Sequence, residues 1–213
     1  MPGEEPIVLA VPKGRVLEQL GPRLEQAGLD PSVLTGRSRK LIRDDRKNGI
    51  RYLLLKPDDV PTYVEYGAAD LGIVGRDVLL ERDYDLYAPV DLGIGRCKLA
   101  VAGLPGGAYA TQRADYADVL RVGTKFPRVA ARHFESLGVP HELIFVQGSV
   151  ELAPLTGLAD VIVDIVETGE TLRQNGLVVI EDICEVSSVV VANRVGLKLG
   201  RERIKPLLKA LRG

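Results

Sequence analysis

The chain has 213 residues, 46% of them hydrophobic, and a formal net charge of −1. That length supports one large domain or two small lobes around a sizeable core, and the near-neutral balance excludes a global field that would draw nucleic acid or an anionic membrane. No apolar stretch reaches the ~18–20 residues of a membrane span. The start, MPGEEPIVLAVPKGR, lacks a basic region followed by a long apolar segment, so a cytoplasmic chain without a secretion signal is expected. Cys97 and Cys184 stand far apart with no C-x-x-C pair, which suggests neither zinc nor redox chemistry. A cytosolic chain would rarely keep a disulfide between them, and both read as small buried hydrophobes. His133 and His141 read as surface residues around a helix-to-strand link, without a role.

Ile7 to Val11 is expected as a short buried strand closed by Pro12. Lys13-Gly14-Arg15 follows and opens a helix with Val16, Leu17, Leu20 and Leu24 on one face, ended by Gly28. A strand running into Lys-Gly-Arg at a helix start is one candidate phosphate site, although the spacing of a Walker loop is absent. The most basic segment is next: Gly36-Arg37-Ser38-Arg39-Lys40-Leu41-Ile42-Arg43, broken by Asp44 and Asp45. It reads as a solvated hairpin arm or, given a polyphosphate ligand, as a cluster of guanidinium groups gripping phosphate oxygens. Ile50 to Leu55 completes the strand pair. Asp58 to Tyr66 is expected as a helix, with Asp58 or Asp59 near its cap and Pro61 in its first turn. Leu71 to Val74 reads as a strand, Arg76 to about Arg82 as a helix, and Leu86 to Val90 as a strand.

Cys97 to Leu104 is an apolar strand expected to carry the chain into a second lobe, followed by a Gly-rich loop over Pro105 to Tyr109. Gly93-Ile94-Gly95 lacks the third glycine and the helix of a dinucleotide fingerprint. Arg121 to Gly123 reads as a strand, Pro127 opens a helix over Arg128 to Leu137, and Leu143 to Val146 is a strand. Gly148-Ser149 leads into a short helix containing Glu151. Leu177 to Val186 and Val189 to Asn193 are strand-like, the second expected to return to the first lobe. The last helix has a core face of Leu199, Ile204, Leu207, Leu208 and Leu211. An internal echo joins the halves: Gly67-Ala68-Ala69-Asp70 before Leu71-Gly72-Ile73-Val74, and Gly157-Leu158-Ala159-Asp160 before Val161-Ile162-Val163. It points to two lobes of related topology with a cleft between them.

The stretch after the second echo organises the chain. Val161-Ile162-Val163 is a buried strand, Asp164 and Glu167 follow, then Thr168-Gly169-Glu170-Thr171, and Leu172 to Asn175 begins a helix. A strand entering a Gly-containing turn and a helix start aims several backbone N–H groups at one spot, with the helix dipole behind them. That suits a phosphate, and the carboxylates suit ribose hydroxyls or hydrated magnesium. The plainer alternative makes the threonines helix caps only. No Ser-His-Asp set, activated Cys pair or metal-binding His cluster is present, so chemistry needing a strong general base is poorly supported. Displacement of pyrophosphate from an activated ribose fits, because the protein's task there is to align the partners and neutralise the leaving group.

Thr168-Gly169-Glu170-Thr171-Leu172 with Asn175-Gly176-Leu177, Glu151-Leu152-Ala153-Pro154, Pro12-Lys13-Gly14-Arg15, Ser38-Arg39-Lys40-Leu41 and the two Ala-Asp repeats resemble the ATP phosphoribosyltransferase family over nearly the whole chain. The resemblance implies an α/β, two-lobed fold like that of type II periplasmic binding proteins, with central mixed sheets and two chain crossings. Lobe I would be residues 1–93 with 187–213 and lobe II residues 94–186. It implies transfer of phosphoribose from phosphoribosyl pyrophosphate to N1 of ATP, the first step of histidine biosynthesis, with magnesium required. By position, Asp164, Glu167, Thr168, Gly169, Glu170 and Thr171 would hold phosphoribosyl pyrophosphate. Arg15 and Arg39 would neutralise pyrophosphate and orient ATP, with Lys13, Asp70 and Glu151 lining the cleft. Magnesium would be held through substrate phosphates. The length resembles the short form of the family, which implies a homodimer that pairs with a regulatory subunit similar to histidyl-tRNA synthetase. Two rivals are a solute- or small-anion-binding protein of the same fold and a nucleobase phosphoribosyltransferase.

Overall fold

The structure, a computed structural model, describes residues 5–36, 38–112, 118–199 and 201–212. Arg37 of the basic segment and the side chain of Leu199 lie outside the described residues. The chain divides into two units, Met1–Gly95 with Ser187–Gly213 and Arg96–Val186, so it crosses between them twice.

The first unit contains β1 (Ile7–Pro12), α1 (Arg15–Gln26), α2 (Ser32–Thr35), β2 (Ile42–Asp45), β3 (Ile50–Leu55), a 3-10 turn (Pro57–Asp59), α3 (Val60–Glu65), β4 (Leu71–Gly75), α4 (Arg76–Glu81) and β5 (Leu86–Asp91). The second contains β6 (Cys97–Gly103), α5 (Ala108–Gln112), β7 (Leu120–Thr124), α6 (Pro127–Ser136), β8 (His141–Phe145), α7 (Leu152–Leu155), β9 (Val161–Val166), α8 (Glu170–Gln174) and β10 (Val178–Val186). The chain then returns to the first unit through β11 (Ser188–Asn193), α9 (Arg194–Leu199) and α10 (Arg201–Arg212).

The expected helix over Asp58 to Tyr66 is split. Pro61 has no N–H to give the Pro57 carbonyl, and Val60 N–H takes that carbonyl in the tighter pattern, with neither aspartate side chain capping. The Gly-rich loop after β6 ends earlier than expected, because Ala108 starts α5 and buries Tyr109.

In the central strands, alternation sends residues to two covered faces. In the first unit Leu9 and Val11 join Leu20, Leu24, Ile204 and Leu211 in one cluster, while Ala10 joins Val60, Val64 and Val191 in another. In the second, Val161 and Val163 join Leu120, Val122 and Phe134, while Ile162 joins Ala153, Leu172 and Leu177. Gly72 permits a close apolar approach: a Cβ there would stand 2.7 Å from methyls of Val60 and Val64.

The two sheets repeat one plan. Their orders are β2-β3-β1-β4-β11-β5 and β10-β6-β9-β7-β8. In β3-β1-β4 and in β8-β7-β9 the strands are parallel; β11 and β6 then run antiparallel, and β5 and β10 follow beyond them. The echoed aspartates do the same work in each. Asp70 Oδ2 accepts the Val8 N–H at 2.8 Å while Asp70 N–H donates to the Val8 carbonyl at 2.9 Å. Asp160 Oδ2 accepts the Arg121 N–H at 2.9 Å while Asp160 N–H donates to the Arg121 carbonyl at 2.8 Å. The Gly-x-Ala-Asp turn is thus a clamp between the amino ends of two parallel strands.

Two readings of polar residues are corrected. His133 is not a surface residue: its side chain is 13% exposed, with Nε2 3.0 Å from Oε1 of Glu181, whose side chain is 7% exposed. Tyr109 donates to the same oxygen at 2.9 Å. A break in the β10–β6 register next to Glu181 accompanies this inward carboxylate, and local sequence gives no sign of it. Cys97 and Cys184 are half-buried rather than buried, packed against the cluster of Leu99, Phe126 and Val186 on adjacent strands.

Burial opposes ionisation of Asp160, but hydrogen bonds from the Arg121 side chain and amide outweigh it, and the carboxyl titrates below its usual range. A carboxyl depressed on folding stabilises fully above its unfolded pKa of about 4 and loses that contribution as pH falls through the folded value. Asp160→Asn is therefore expected to lower Tm near neutral pH, with the gap from the parent narrowing towards pH ~3. A gap that stays constant in thermal melts across that range would show that ionisation of Asp160 does not stabilise the clamp.

Candidate active site

In open α/β sheets, ligands sit beyond the carboxyl ends of strands where adjacent connections leave in opposite directions. In the first unit that point lies between β1 and β4: the chain leaves β1 towards β3 and leaves β4 towards β5. Lys13, Gly14 and Arg15 stand there. Lys13 N–H donates to the Leu55 carbonyl at 2.9 Å, which seats the turn beside the end of β3. Gly14 has φ 94° and ψ −154°, a region open essentially to glycine alone, and no side chain caps the first amides of α1. The side chains of Lys13 and Arg15 are exposed.

Arg39 reaches the same edge by another route. Strand β2 runs antiparallel to β3 with Ile42 opposite Leu53, and Leu54 N–H donates to the Leu41 carbonyl at 2.8 Å. The loop before β2 therefore lies at the carboxyl end of β3, two strand spacings, about 10 Å, from β1. Lys13, Arg15 and Arg39 share one cationic edge, and Arg39 is exposed with no ion pair among the described residues. Asp70 does not join them. It sits beside Val8 at the other end of β1, about 16 Å of extended chain from Lys13, with its carboxylate on the Val8 amide. The echo in the sequence marks a strand clamp there.

In the second unit the corresponding point lies between β7 and β9. Thr124 at the end of β7 is fully buried; its hydroxyl donates to the Val163 carbonyl at 2.6 Å and accepts the Phe126 N–H at 2.8 Å. Beside it, β9 ends in Asp164-Ile165-Val166 and the turn begins. Asp164 is half-buried, with Oδ1 accepting the Ile165 N–H at 2.8 Å, and Glu167 is exposed. Gly169 has φ 72° and ψ 4° at the N-cap of α8. The first ladder bond runs from Arg173 N–H to the Gly169 carbonyl at 3.0 Å, so the amides of Thr171 and Leu172 precede the ladder.

The helix-cap reading of the threonines holds for Thr168. Thr168 Oγ1 accepts the Glu170 N–H at 3.3 Å, a cap-like bond, and still has its own proton to donate. The Glu170 carboxylate is turned onto its own helix, where Arg173 and Gln174 donate to it at 2.6–3.0 Å and hold its pKa below the usual range. Glu170 thus offers the turn its backbone more than its charge. Glu151, half-buried at the N-cap of α7, follows the loop after β8 and so lies on this same edge.

Two features of this edge escape a reading of the sequence alone. Lys125, with Nζ 4.7 Å from the Phe126 ring centre, follows Thr124 directly. A polar pair between an apolar strand and a helix opened by Pro127 is the same pattern that marks the other two loops. Ser149, in the loop before Glu151, is the one non-glycine with positive φ among the described residues, at 48°. A cavity of about 220 Å³ lies at the opposite edge of this unit, lined by Tyr109, Arg121, Pro154 and Asp160. Its polar wall is the Arg121–Asp160 clamp, already satisfied. Among the described residues no three His, Cys, Asp or Glu side chains group to hold a metal ion by themselves. Asp164 and Glu167 fit an ion that arrives with substrate phosphates and keeps most of its water.

The turn's constraint is conformational rather than steric, since a Cβ at 169 would meet only a Val166 methyl at 3.8 Å. Gly169→Val is expected to destabilise by ~1–2 kcal/mol in urea titration, whereas Gly148→Ala, where a Cβ meets open space, is expected to be near neutral. Equal effects at both positions would remove the backbone argument at 169.

The family model described as HisG, ATP phosphoribosyltransferase, matches residues 56–213. The chain is 55% identical over 208 residues to the ATP phosphoribosyltransferase of Sorangium cellulosum (strain So ce56), covering 98% of this chain and 95% of that one. It is 52% identical over 214 residues to that of Anaeromyxobacter sp. (strain K), covering 100% and 95%. Among solved structures it matches the ATP phosphoribosyl transferase (HisG:HisZ) complex from Thermotoga maritima at TM-score 0.80 and 37% identity, over 96% of this chain and 95% of that one. The fold class is the type II periplasmic-binding-protein-like one: two α/β units, each with a mixed sheet, joined by two crossings. The chain belongs to the ATP phosphoribosyltransferase family.

Proposed function

We propose that this chain transfers the phosphoribosyl group of phosphoribosyl pyrophosphate to N1 of the adenine of ATP, giving phosphoribosyl-ATP and pyrophosphate, the first step of L-histidine biosynthesis. The observation that carries this reading is the match of nearly the whole chain to that family at up to 55% identity. The chemistry of the two carboxyl edges supports it.

The bond from C1′ of the ribose to the pyrophosphate oxygen breaks with its electron pair leaving on oxygen, and the N1 lone pair forms the new bond to C1′. N1 holds that pair at neutral pH, so no base is needed before attack. Positive charge gathers on the ribose ring and negative charge on the departing diphosphate, as in other glycosyl transfers. In this reading the amides from Gly169 to Leu172 and the Thr168 and Thr171 hydroxyls hold the 5′-phosphate, and Asp164 and Glu167 take the ribose hydroxyls. Arg15 and Arg39 neutralise pyrophosphate and orient the ATP phosphates, with Lys13 adding charge on the same edge and Glu151 lining the other. Glu170 contributes its amide, and Asp70 is left to its clamp. Magnesium, carried by substrate phosphates beside Asp164 and Glu167, would offset charge on the leaving group. Among the lobe assignments, the first unit takes ATP and pyrophosphate and the second takes phosphoribosyl pyrophosphate.

The Thermotoga maritima relative is described as a HisG:HisZ complex. We extend that assembly to this chain as a dimeric catalytic subunit that works with a regulatory partner similar to histidyl-tRNA synthetase, in the cytoplasm. No helix among the described residues is long and apolar enough to cross a membrane.

Incubation with magnesium, phosphoribosyl pyrophosphate and either ATP or free nucleobases is expected to release pyrophosphate with ATP only. Release with a free base but not with ATP would make it a nucleobase phosphoribosyltransferase, and binding without any release would favour a solute-binding protein. Arg39→Ala is expected to lower kcat by about 10²–10³, equivalent to ~3–4 kcal/mol of lost stabilisation of developing charge, with little change in Tm. An unchanged kcat would take Arg39 out of the site.

A further inference from the structure

We propose that Arg43 is a positioning residue for the reaction, fixing the main chain on both sides of Arg39; this rests on the role proposed for Arg39. Arg43 is half-buried, and among the described residues its guanidinium makes four hydrogen bonds, all to backbone carbonyls. Nη1 donates to the carbonyls of Val33 at 3.0 Å and Leu34 at 2.6 Å, in α2. Nη2 donates to Ser38 at 2.7 Å and Nε to Lys40 at 3.4 Å. The last two are the residues immediately before and after Arg39. One planar fork therefore ties the main chain on both sides of Arg39 to α2.

Carboxylates are close at hand in sequence, yet Arg43 is on neither of its neighbours. Asp44 is paired with Arg51 at 2.7 Å, and Asp45 accepts from Asn48 at 2.7 Å and 3.1 Å. This division has a physical consequence. An acidic clamp would cancel part of the positive potential of the loop, whereas neutral carbonyls anchor it and leave the charges of Arg39 and Lys40 acting on a polyphosphate. A remaining bond supports the shape, from Lys40 N–H to Ser38 Oγ at 3.2 Å. Lysine cannot replace the clamp, because a single ammonium has three donors radiating from one point and no fork to span both sides.

The test is a double-mutant cycle on the full chain, with kcat, both KM values and Tm measured for Arg39→Ala, Arg43→Met, Arg43→Lys and the doubles. Arg43→Met is expected to lower kcat about ten- to a hundredfold, with KM for phosphoribosyl pyrophosphate within about twofold, and Arg43→Lys to recover little. In the Arg39→Ala background, Arg43→Met is expected to cost less than about twofold more, because the group it positions is gone. Full additivity in the cycle, or recovery of kcat by Arg43→Lys, would overturn the proposal in favour of a general structural or charge role. If Arg43→Met does not fold, the cycle is read with Arg43→Lys, which keeps the charge and loses the fork. A silent Arg43→Met beside a damaging Arg39→Ala sinks this inference alone; a silent Arg39→Ala sinks it together with the site reading.

Discussion

Asp160 takes the Arg121 amide and returns its own amide to the Arg121 carbonyl, and Asp70 makes the same exchange with Val8. These reciprocal pairs hold the amino ends of the two central parallel strands in each unit. With one end pinned, register follows: Val122 stands opposite Val161 and Thr124 opposite Val163. The distal end is closed by the Thr124 hydroxyl on the Val163 carbonyl. A slip of one residue would turn every side chain of β9 to the other face and break both apolar layers at once. The loops at the carboxyl ends are therefore delivered to defined places by a framework pinned at the opposite ends of the strands.

The same plan, used twice, ends in two edges of different chemical character. One copy ends in Lys13-Gly14-Arg15 and, two strand spacings out, Arg39, so its edge is cationic. The other ends in carboxylates followed by a Gly169 turn with amides ahead of the helix ladder. Phosphoribosyl transfer to a ring nitrogen needs little proton movement. It needs a sugar phosphate held in a fixed pose and a diphosphate relieved of its charge. These two edges supply polar groups of those kinds.

Much of this is legible from local sequence, for reasons that can be named. Short apolar runs ending in Gly or Pro mark strands, and Lys-Gly-Arg and Thr-Gly-Glu-Thr mark strand-to-helix turns, because backbone conformation at Gly14 and Gly169 is a local matter. The repeat around Asp70 and Asp160 announces a duplicated plan. It does not say which end of the strand each aspartate serves, so sequence groups Asp70 with the ligands when its carboxylate is on the Val8 amide. Longer-range contacts are not legible. Glu181 reaches His133 across 48 positions, and Arg43's bonds to Val33, Leu34, Ser38 and Lys40 exist only once the hairpin folds back on α2. A charge run that reads as solvated or ligand-binding thus contains an arginine whose hydrogen bonds, among the described residues, all go to the protein's own main chain.

In the proposed reaction the turn at Gly169 holds the sugar phosphate through main-chain amides. Backbone amide NMR shifts during titration with magnesium and phosphoribosyl pyrophosphate test it directly. The account predicts saturable shifts in the amides of Gly169, Glu170, Thr171 and Leu172 that are reproduced by ribose 5-phosphate alone. Saturable binding that leaves those four amides unmoved would contradict it.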